Sequence, residues 1–378
     1  MLEISNVNVH VLELIALPMA LILLSTSIRA RMTVANKAAI GAYAVASSAV
    51  LGSILISGLV AMDPGAVLLK GVLKWVEIIG LSWVVLTYCS SMRRFQQIWI
   101  ILILTTLLTI VGTFYLDFVR PYFSGEFTSW PRSSVILTAF RRISGADALL
   151  VVVLTAPFRA RRWGRLMGLV CLALTLLSLS RTAAAGLVAS LGYLLWRGRS
   201  EAVTSLSLRP GLGVVLVVLA LLWGALNEVL VARATEVLRI SLRLELARAA
   251  WDMFVSQPLT GVGAENFGRY LLYTGIFPEG HGMTPNLAPH SVWLQTAAET
   301  GLIGFLALLT WFGTLCWIVW RRSTFHSDSV WLMSLRLAFI VQAILLTFGY
   351  VAGGSRLQLA LFAGLSLAAM RPLEGRPH

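Results

Sequence analysis

Residues 291–320 read SVWLQTAAETGLIGFLALLTWFGTLCWIVW, with Glu299 as the only charged side chain. A hydrocarbon core of about 30 Å needs about 20 apolar residues at about 1.5 Å rise each, so this stretch is long enough to cross a membrane as a helix. The whole chain is similar: 58% of its 378 residues are hydrophobic, 12% are charged, and the mean hydropathy is +0.82. A soluble domain has about 45–50% apolar residues. The composition therefore predicts an all-α polytopic membrane protein.

Apolar runs recur along the chain and predict about eleven transmembrane helices in a single membrane domain, residues 1–378. The fifth to seventh runs are short enough for tilted or partly re-entrant helices. Residues 1–10 lack a basic segment and a small-residue cleavage site, so the first run is predicted to be a retained helix and not a signal peptide. The predicted spans are residues 11–28, 38–60, 65–90, 97–119, 143–157, 166–180, 182–196, 210–230, 291–320, 330–350 and 356–370.

The basic residues predict the orientation of these helices, because Lys and Arg in short loops beside helix ends are retained in the cytoplasm. Basic groups occupy every second connection, which places the N-terminus outside and the C-terminus inside. The external connections are then residues 61–64, 120–142, 231–290 and 351–355, of which 231–290 is the large loop and 120–142 a smaller one. The basic groups are Arg29/Arg31/Lys37, Arg93/Arg94, Arg159/Arg161/Arg162/Arg165, Arg197/Arg199/Arg209, Arg321/Arg322 and Arg371/Arg376.

The net charge of +13 does not indicate a nucleic-acid partner. Its cations form short clusters beside the spans and not a basic patch interleaved with aromatic residues on a soluble domain. Attraction to anionic membrane lipid is the expected side effect of such clusters. Cys89, Cys171 and Cys316 each lie inside an apolar run, so the spacing predicts neither disulfides nor a metal site.

Arg181 is the first candidate for a functional residue. It lies between two apolar runs with no polar loop around it, close to the predicted outer membrane boundary. An arginine at the centre of a membrane helix costs at least about 2.5–3.5 kcal/mol, less near its end, so it usually has a partner or a role. The alternative is an arginine that extends to lipid phosphates.

The large external loop contains a predicted amphipathic helix over residues 235–257. Arg243 is predicted to be its most available cation, because Glu236 and Glu245 are spaced to pair with Arg239 and Arg248. The alternative is a solvated charge on a helix that lies on the membrane. The apolar positions that recur at intervals of three and four are Val237, Ile240, Leu244, Ala247, Trp251 and Phe254.

The end of the same loop holds turn residues and a histidine. Pro258 is predicted to stop the helix, and Gly261 and Gly263 permit backbone turns that other residues resist. His290 precedes the long span, where an imidazole with a pKa of about 6.5 is largely neutral and can accept a proton. Glu299 lies inside the span and is expected to pair with an arginine or to satisfy backbone donors.

Three separated segments resemble the O-antigen ligase and polymerase superfamily of bacterial polysaccharide assembly in their order and spacing. The resemblance covers residues 170–310, and Ser291 stands where the family usually has asparagine. Residues 178–182 (SLSRT) resemble the family's Ser-x-Ser-Arg-Thr. Arg243, Trp251 and residues 258–263 (PLTGVG) resemble its Arg, Trp and Pro-Leu-x-Gly-x-Gly. Residues 290–304 resemble its His-Asn-x-x-Leu and Glu-x-Gly-Leu-Ile-Gly.

The resemblance implies an inverting membrane glycosyltransferase of the bacterial inner membrane, with a periplasmic active site and no cofactor or metal. It implies a polyprenyl (undecaprenyl) diphosphate-linked glycan as donor and lipid A-core or another glycan as acceptor. The catalytic residues carried over are His290 as base, with Arg181 and Arg243, whose planar forks suit a diphosphate. The predicted substrate-binding residues are Arg181, Arg243, Arg248, Arg356, Gly261 and Gly263, with structural support from Glu299 and Ser291.

Other activities stay open at this stage. Within the family, the same residues serve ligases that modify lipid A-core, polymerases that extend a lipid-linked chain, and ligases that modify protein. The basic outer region, which includes Arg248 and Arg269, favours a phosphorylated lipid A-core acceptor. A transporter of anionic lipid or solute is the alternative from another class, but the sequence lacks the internal repeat typical of transporters.

Overall fold

The computed structural model describes residues 2–4, 7–9, 34–115, 119–123, 145–178, 180–197, 233–275, 288–289, 291–323, 329–348 and 353–370. The chain forms two compact units. Unit 1 consists of residues 1–98, 234–324 and 346–378, and unit 2 of residues 99–233 and 325–345. Each unit therefore combines parts of the chain that are distant in sequence.

Helices dominate the described residues, and the exception is a short antiparallel hairpin of β1 (Leu2–Ile4) and β2 (Val7–Val9). A π-helical stretch, Val67–Val72, joins α2 to α3, and a second one, Ile318–Arg322, follows α11. The 3₁₀ turn Ala156–Phe158 follows α6. The helices are α1 (Val34–Gly58), α2 (Pro64–Ala66), α3 (Leu73–Tyr88), α4 (Met92–Phe114), α5 (Arg120–Phe123), α6 (Gly145–Thr155), α7 (Arg162–Leu177), α8 (Arg181–Arg197), α9 (Arg233–Ser256), α10 (Phe267–Thr274), α11 (Val292–Trp317), α12 (Val330–Phe348) and α13 (Gly353–Ala368).

Four helices among the described residues are long and apolar enough to cross a membrane: Lys37–Gly58, Met92–Phe114, Val292–Arg321 and Val330–Phe348. They correspond to four of the predicted spans. Shorter apolar helices occupy Gly145–Phe158, Thr182–Trp196 and Arg356–Ala368. The predicted spans 11–28 and 210–230, and most of the predicted loop 120–142, lie outside the described residues. The count of about eleven spans therefore stays a prediction.

The predicted span 65–90 is helical but not uniform. It begins with α2, continues through the π-helical stretch Val67–Val72, and ends as α3. Lys70, Lys74 and Glu77 lie within it, so it carries more charge than an ordinary span. A π-helical turn inside a helix is rare and is often found at functional sites.

Unit 1 has a core in which α1 packs on α11 and α3 packs on α13. The Tyr43 hydroxyl of α1 lies 2.7 Å from the Ser82 hydroxyl of α3. The Trp311 ring of α11 packs at 6.0 Å from the Tyr43 ring and edge-on at 5.5 Å from the Trp75 ring. These aromatic contacts join three helices at one point, where large side chains contribute most to packing.

Unit 2 has a core in which α6 packs on α7 and α8. The indole Nε1 of Trp99 donates to the carbonyl of Leu154 at 2.7 Å, which satisfies a buried polar group. The ring of Trp331 packs edge-on against Trp99 and Phe158, at 5.3 Å from each. Trp99 therefore ties α4 and α12 to the end of α6.

The backbone of α11 is broken at Gly301, whose φ of 64° and ψ of −163° are not helical. In a continuous helix the N–H groups of residues 302 and 303 would donate to the carbonyls of residues 298 and 299. Here the Leu302 N–H donates to the Pro258 carbonyl at 2.8 Å, and the Ile303 N–H to the Leu259 carbonyl at 3.3 Å. The break therefore leaves two carbonyls of α11 open to other donors.

The turn of residues 258–263 supplies those donors. The Val262 N–H donates to the Ala298 carbonyl at 3.0 Å, and the Gly263 N–H donates to the Glu299 carbonyl at 2.8 Å. Two helical hydrogen bonds are thus replaced by four bonds between α11 and the turn, an arrangement that we call the interlock. An unpaired backbone group in a membrane costs several kcal/mol, so the interlock is what makes a broken helix tolerable there.

Glycine is required on both sides of the interlock. A Cβ on Gly301 would lie 2.4 Å from the Leu259 carbonyl carbon, and a Cβ on Gly261 would lie 2.4 Å from the Glu299 carbonyl carbon. Both glycines also have a φ of 64°, where other residues are strained. Gly261 and Gly301 therefore both serve the interlock, because the absence of a Cβ at each lets the backbones of the turn and of α11 approach each other.

Gly301→Ala is expected to destabilise the protein by at least about 1–3 kcal/mol, because alanine is strained at this φ and its Cβ collides with backbone. The matched control is Gly313→Ala in the same helix, where an added Cβ meets nothing within 4 Å. Thermal unfolding of both variants in detergent is the measurement. Equal melting temperatures for Gly301→Ala and Gly313→Ala would contradict the proposed role of the interlock.

Candidate functional site

The turn of the interlock is continuous with a small hydrophobic core around α10. This core joins the buried face of α9 to α10 and to the first turns of α11. Phe267 and Leu271 of α10 are almost fully buried in it, and Tyr270 packs against it. Its other members are Leu246, Ala249, Ala250 and Met253 of α9, Val262 of the turn, and Ala298 of α11.

Over the described residues, the apolar face predicted for this helix is not the face that α9 buries against the protein. Its members Leu244 and Trp251 are 49% and 59% exposed, while Ala249 and Ala250 are buried. Apolar residues lie on both sides of this helix, so periodicity alone does not choose between them. The small side chains of Ala249 and Ala250 permit the closer approach to α10 and α11, which explains the face that is buried.

A buried ion pair lies just after the turn. Lys74 Nζ of α3 donates to Glu265 Oε1 at 2.9 Å, and both side chains are largely shielded from solvent. The charge of Lys74 lowers the pKa of Glu265 below its usual range, although burial opposes this, and Arg356 and Lys70 lower it further. The carboxylate is therefore held ionised within a group of three cations.

The backbone at Glu265 is set by its neighbours. Glu265 has a positive φ of 60°, which is uncommon outside glycine. On one side, the Ala264 N–H donates to the Ser57 hydroxyl of α1 at 3.3 Å. On the other side, the Asn266 side-chain amide donates to the Ala264 carbonyl at 3.0 Å. Contacts from both directions therefore hold the conformation that aims this carboxylate at Lys74.

The connection 61–64 packs against the same segment. Arg269 of α10 forms an ion pair with Asp63, and the Asn266 side chain donates to the Asp63 carbonyl at 3.4 Å. A Cβ on Gly263 would lie 2.4 Å from the Cβ of Ala61. The connection 61–64 thus contacts the loop 231–290.

Glu299 has a structural role. Its Oε1 accepts from the Phe267 backbone N–H at 3.3 Å and from the Gln295 side-chain amide at 3.2 Å. Phe267 is the first residue of α10, so the carboxylate lies at the positive end of that short helix. Satisfying a backbone donor is one of the two roles expected of Glu299 from the sequence.

Ser291 is the N-cap of α11. Its hydroxyl accepts from the Leu294 N–H at 3.4 Å, and its side chain is buried. Serine and asparagine are about equally good N-caps, which explains why serine can stand in the position where the resembled family has asparagine. His290 lies outside the described residues, and its place in the chain is immediately before this cap.

The segment around Arg181 also has a capping role. The Ser180 hydroxyl accepts from the Ala183 N–H at 3.3 Å at the start of α8. The Ser178 hydroxyl donates to the Thr175 carbonyl at 2.8 Å at the end of α7. Arg181 is the first residue of α8, and its side chain lies outside the described residues. The two serines thus make hydrogen bonds at the end of α7 and at the start of α8, the helix that Arg181 begins.

The other predicted cations have different surroundings. Arg243 is exposed, but it takes part in an interaction within the protein, so the prediction of an uncommitted cation is not supported. Arg248 is exposed, and within the described residues it forms no ion pair with Glu245, contrary to the pairing that the spacing suggested. Arg356, near the start of α13, acts electrostatically on Glu265.

Gly261 and Gly263, which the sequence predicts to bind substrate, form backbone hydrogen bonds within the protein. The Gly261 N–H donates to the Gln257 carbonyl at 2.9 Å, and the Gly263 N–H donates to the Glu299 carbonyl.

Sequence reasoning did not identify Lys74 and Glu265 as a pair. The available signal was the charge of Lys74 inside an apolar run, because an ionisable residue within a span is a candidate functional residue by default.

The comparison with protein families covers this part of the chain. Residues 166–309 match the family model described as O-Antigen ligase. No curated protein matches the chain. The matched segment contains the turn at Arg181, the interlock and Glu265, and it agrees closely with the 170–310 segment identified from the three motifs. Over residues 166–309 the chain is therefore similar to the O-antigen ligase family, in agreement with the resemblance seen in the three motifs.

Proposed function

We propose that this protein is an inverting membrane glycosyltransferase that transfers a glycan from a polyprenyl-diphosphate donor to an acceptor hydroxyl on the periplasmic face. An O-antigen ligase that acts on lipid A-core is the activity we favour. The observation that carries the proposal is the cationic group formed by Lys74, Lys70 and Arg356 around Glu265. Glu265, the centre of this group, lies two residues after the turn of the interlock and inside the family-matched segment, residues 166–309.

The chemistry needs cations more than any other group. A diphosphate is a good leaving group, and positive charge stabilises the negative charge that develops on it as the glycosidic bond breaks. Arg181 and Arg243 are the proposed diphosphate ligands, with Arg248 and Arg356 as further contacts. Lys74 adds a compact cation whose orientation is set by Glu265. Its low exposure strengthens any electrostatic interaction it makes with a bound anion.

The proposed reaction is a single displacement. The acceptor hydroxyl oxygen attacks the anomeric carbon from the face opposite the diphosphate, a new glycosidic bond forms, and the bond to the diphosphate oxygen breaks. His290 accepts the hydroxyl proton, and the polyprenyl diphosphate leaves with the bonding electrons. The capping of α11 by Ser291 supports this role, because it fixes the chain one residue after the histidine.

His290→Ala is expected to lower the transfer rate by about 10²–10⁴, the usual contribution of a general base, with the melting temperature unchanged. The matched control is His281→Ala, which removes the other histidine of the same loop. The measurement is the rate of product formation by purified protein, with folding checked by thermal unfolding. Full activity of His290→Ala would remove this residue from the mechanism.

Lys74→Gln is expected to raise the KM for the lipid-linked donor by at least about tenfold, since a hydrogen bond to a charged group contributes about 1.5–3 kcal/mol. Lys74→Arg should restore part of the loss, because it keeps the charge. The control is Lys37→Gln, which removes an exposed lysine near the start of α1. An unchanged donor KM in Lys74→Gln would show that the ion pair is only structural.

A reconstitution experiment identifies the acceptor. Purified protein is incubated with undecaprenyl-diphosphate glycan and either lipid A-core or a second lipid-linked glycan, and the products are identified by mass spectrometry. Modified lipid A-core is the expected product of a ligase. Lengthened lipid-linked chains would show a polymerase, and glycan on a protein acceptor a protein ligase. Movement of intact donor without a new covalent bond would show a transporter and contradict the proposal.

A further inference from the structure

An apolar stripe runs along the side of α9 that is opposite its buried face. Leu244, Trp251 and Val255 are 49%, 59% and 57% exposed. At about 100° per residue, Trp251 and Val255 lie within about 20° of the direction of Leu244, so the three form one stripe. We call this stripe the outward face of α9. On the same scale the buried residues Leu246 and Met253 point about 160–180° away, on the opposite side of the helix.

Such an apolar stripe is unfavourable on a helix that projects into water. The side of a surface helix opposite its buried face is normally polar, and contiguous exposed apolar residues mark an interaction surface. The stripe also continues past the end of α9, where Leu259 is 61% exposed. The outward face of α9 therefore needs a partner that accepts apolar side chains.

The depth of α9 identifies this partner. Val292–Arg321 has 30 residues. After the break at Gly301, its continuous part, residues 302–321, is about 30 Å long at about 1.5 Å per residue, which is the thickness of the hydrocarbon core. Ala298, which packs against α9, is then at the boundary between headgroups and hydrocarbon. A helix packed at that depth has lipid on its free side.

We propose that the outward face of α9 is inserted into the lipid interface of the membrane, which makes α9 a second attachment of the loop 231–290. Its composition suits phospholipid. Tryptophan is enriched at membrane interfaces, where one part of its ring is apolar and another polar. The exposed Arg248 lies about 40° to one side of the stripe, where its guanidinium can reach lipid phosphates. This proposal does not depend on which reaction the protein catalyses.

The test places a fluorescent probe on each side of α9. Single cysteines are introduced as Trp251→Cys and Val255→Cys on the outward face, and as Asp252→Cys and Ser256→Cys at exposed polar positions of the same turns. Each variant is labelled with an environment-sensitive probe and reconstituted in phosphatidylcholine nanodiscs with or without brominated acyl chains. The parent protein, labelled in parallel, supplies the background from Cys89, Cys171 and Cys316.

The expected result is quenching by brominated lipid at positions 251 and 255 that is at least about twice that at positions 252 and 256, because an interfacial helix buries its apolar face by about 5–10 Å. Equal quenching at all four positions would overturn the proposal. Probes at 251 and 255 that are shielded from water but insensitive to brominated lipid would also overturn it, and would assign this face to a protein partner. A disulfide between two copies of Trp251→Cys would identify a second copy as that partner.

Discussion

The interlock between α11 and the turn 258–263 is the contact on which the rest of unit 1 depends. A membrane-spanning helix must satisfy its own backbone hydrogen bonds, because the surrounding lipid offers none. At Gly301 this helix loses two of its internal backbone hydrogen bonds, and four backbone hydrogen bonds with the turn replace them. The loop is thereby attached to the span by backbone contacts, whose geometry is more exacting than that of side-chain packing.

The charged group is a consequence of this attachment. Glu265 follows the turn by two residues, so fixing Gly263 on α11 fixes where the carboxylate can reach. The positive φ of Glu265 and its contacts with α1 and α10 then direct it to Lys74, a residue 191 positions earlier in the chain. A carboxylate that is held ionised by Lys74, Arg356 and Lys70 keeps several cations together in a mostly apolar environment, where unpaired cations would repel one another.

Hydropathy predicted the fold class well, since a span is defined by the length and composition of one continuous run, as residues 291–320 illustrate. It could not predict that α11 breaks at Gly301, because the break is stable only when a turn more than 30 residues away fills it. It also could not predict which side of α9 is buried, because Leu244 and Ala249 are both apolar and the choice between them depends on the shape of α10 and α11. Lys74 and Glu265 were missed as a pair because the bond joins two distant segments. The motif glycines were found from the sequence, but their mutual contact was not.

The interlock also bears on the residue that the proposed mechanism needs most. The part of α11 before the break, residues 292–300, is a rigid helical segment of about 13 Å. It is held at one end by the turn 258–263 and closed at the other by the Ser291 cap, and His290 comes next in the chain. Because α9 leads into the same turn, the end of α9 and the first part of α11 are held at the same point. A rigid segment of this kind is what a general base requires, since proton transfer depends on holding the imidazole within hydrogen-bond reach of the acceptor hydroxyl.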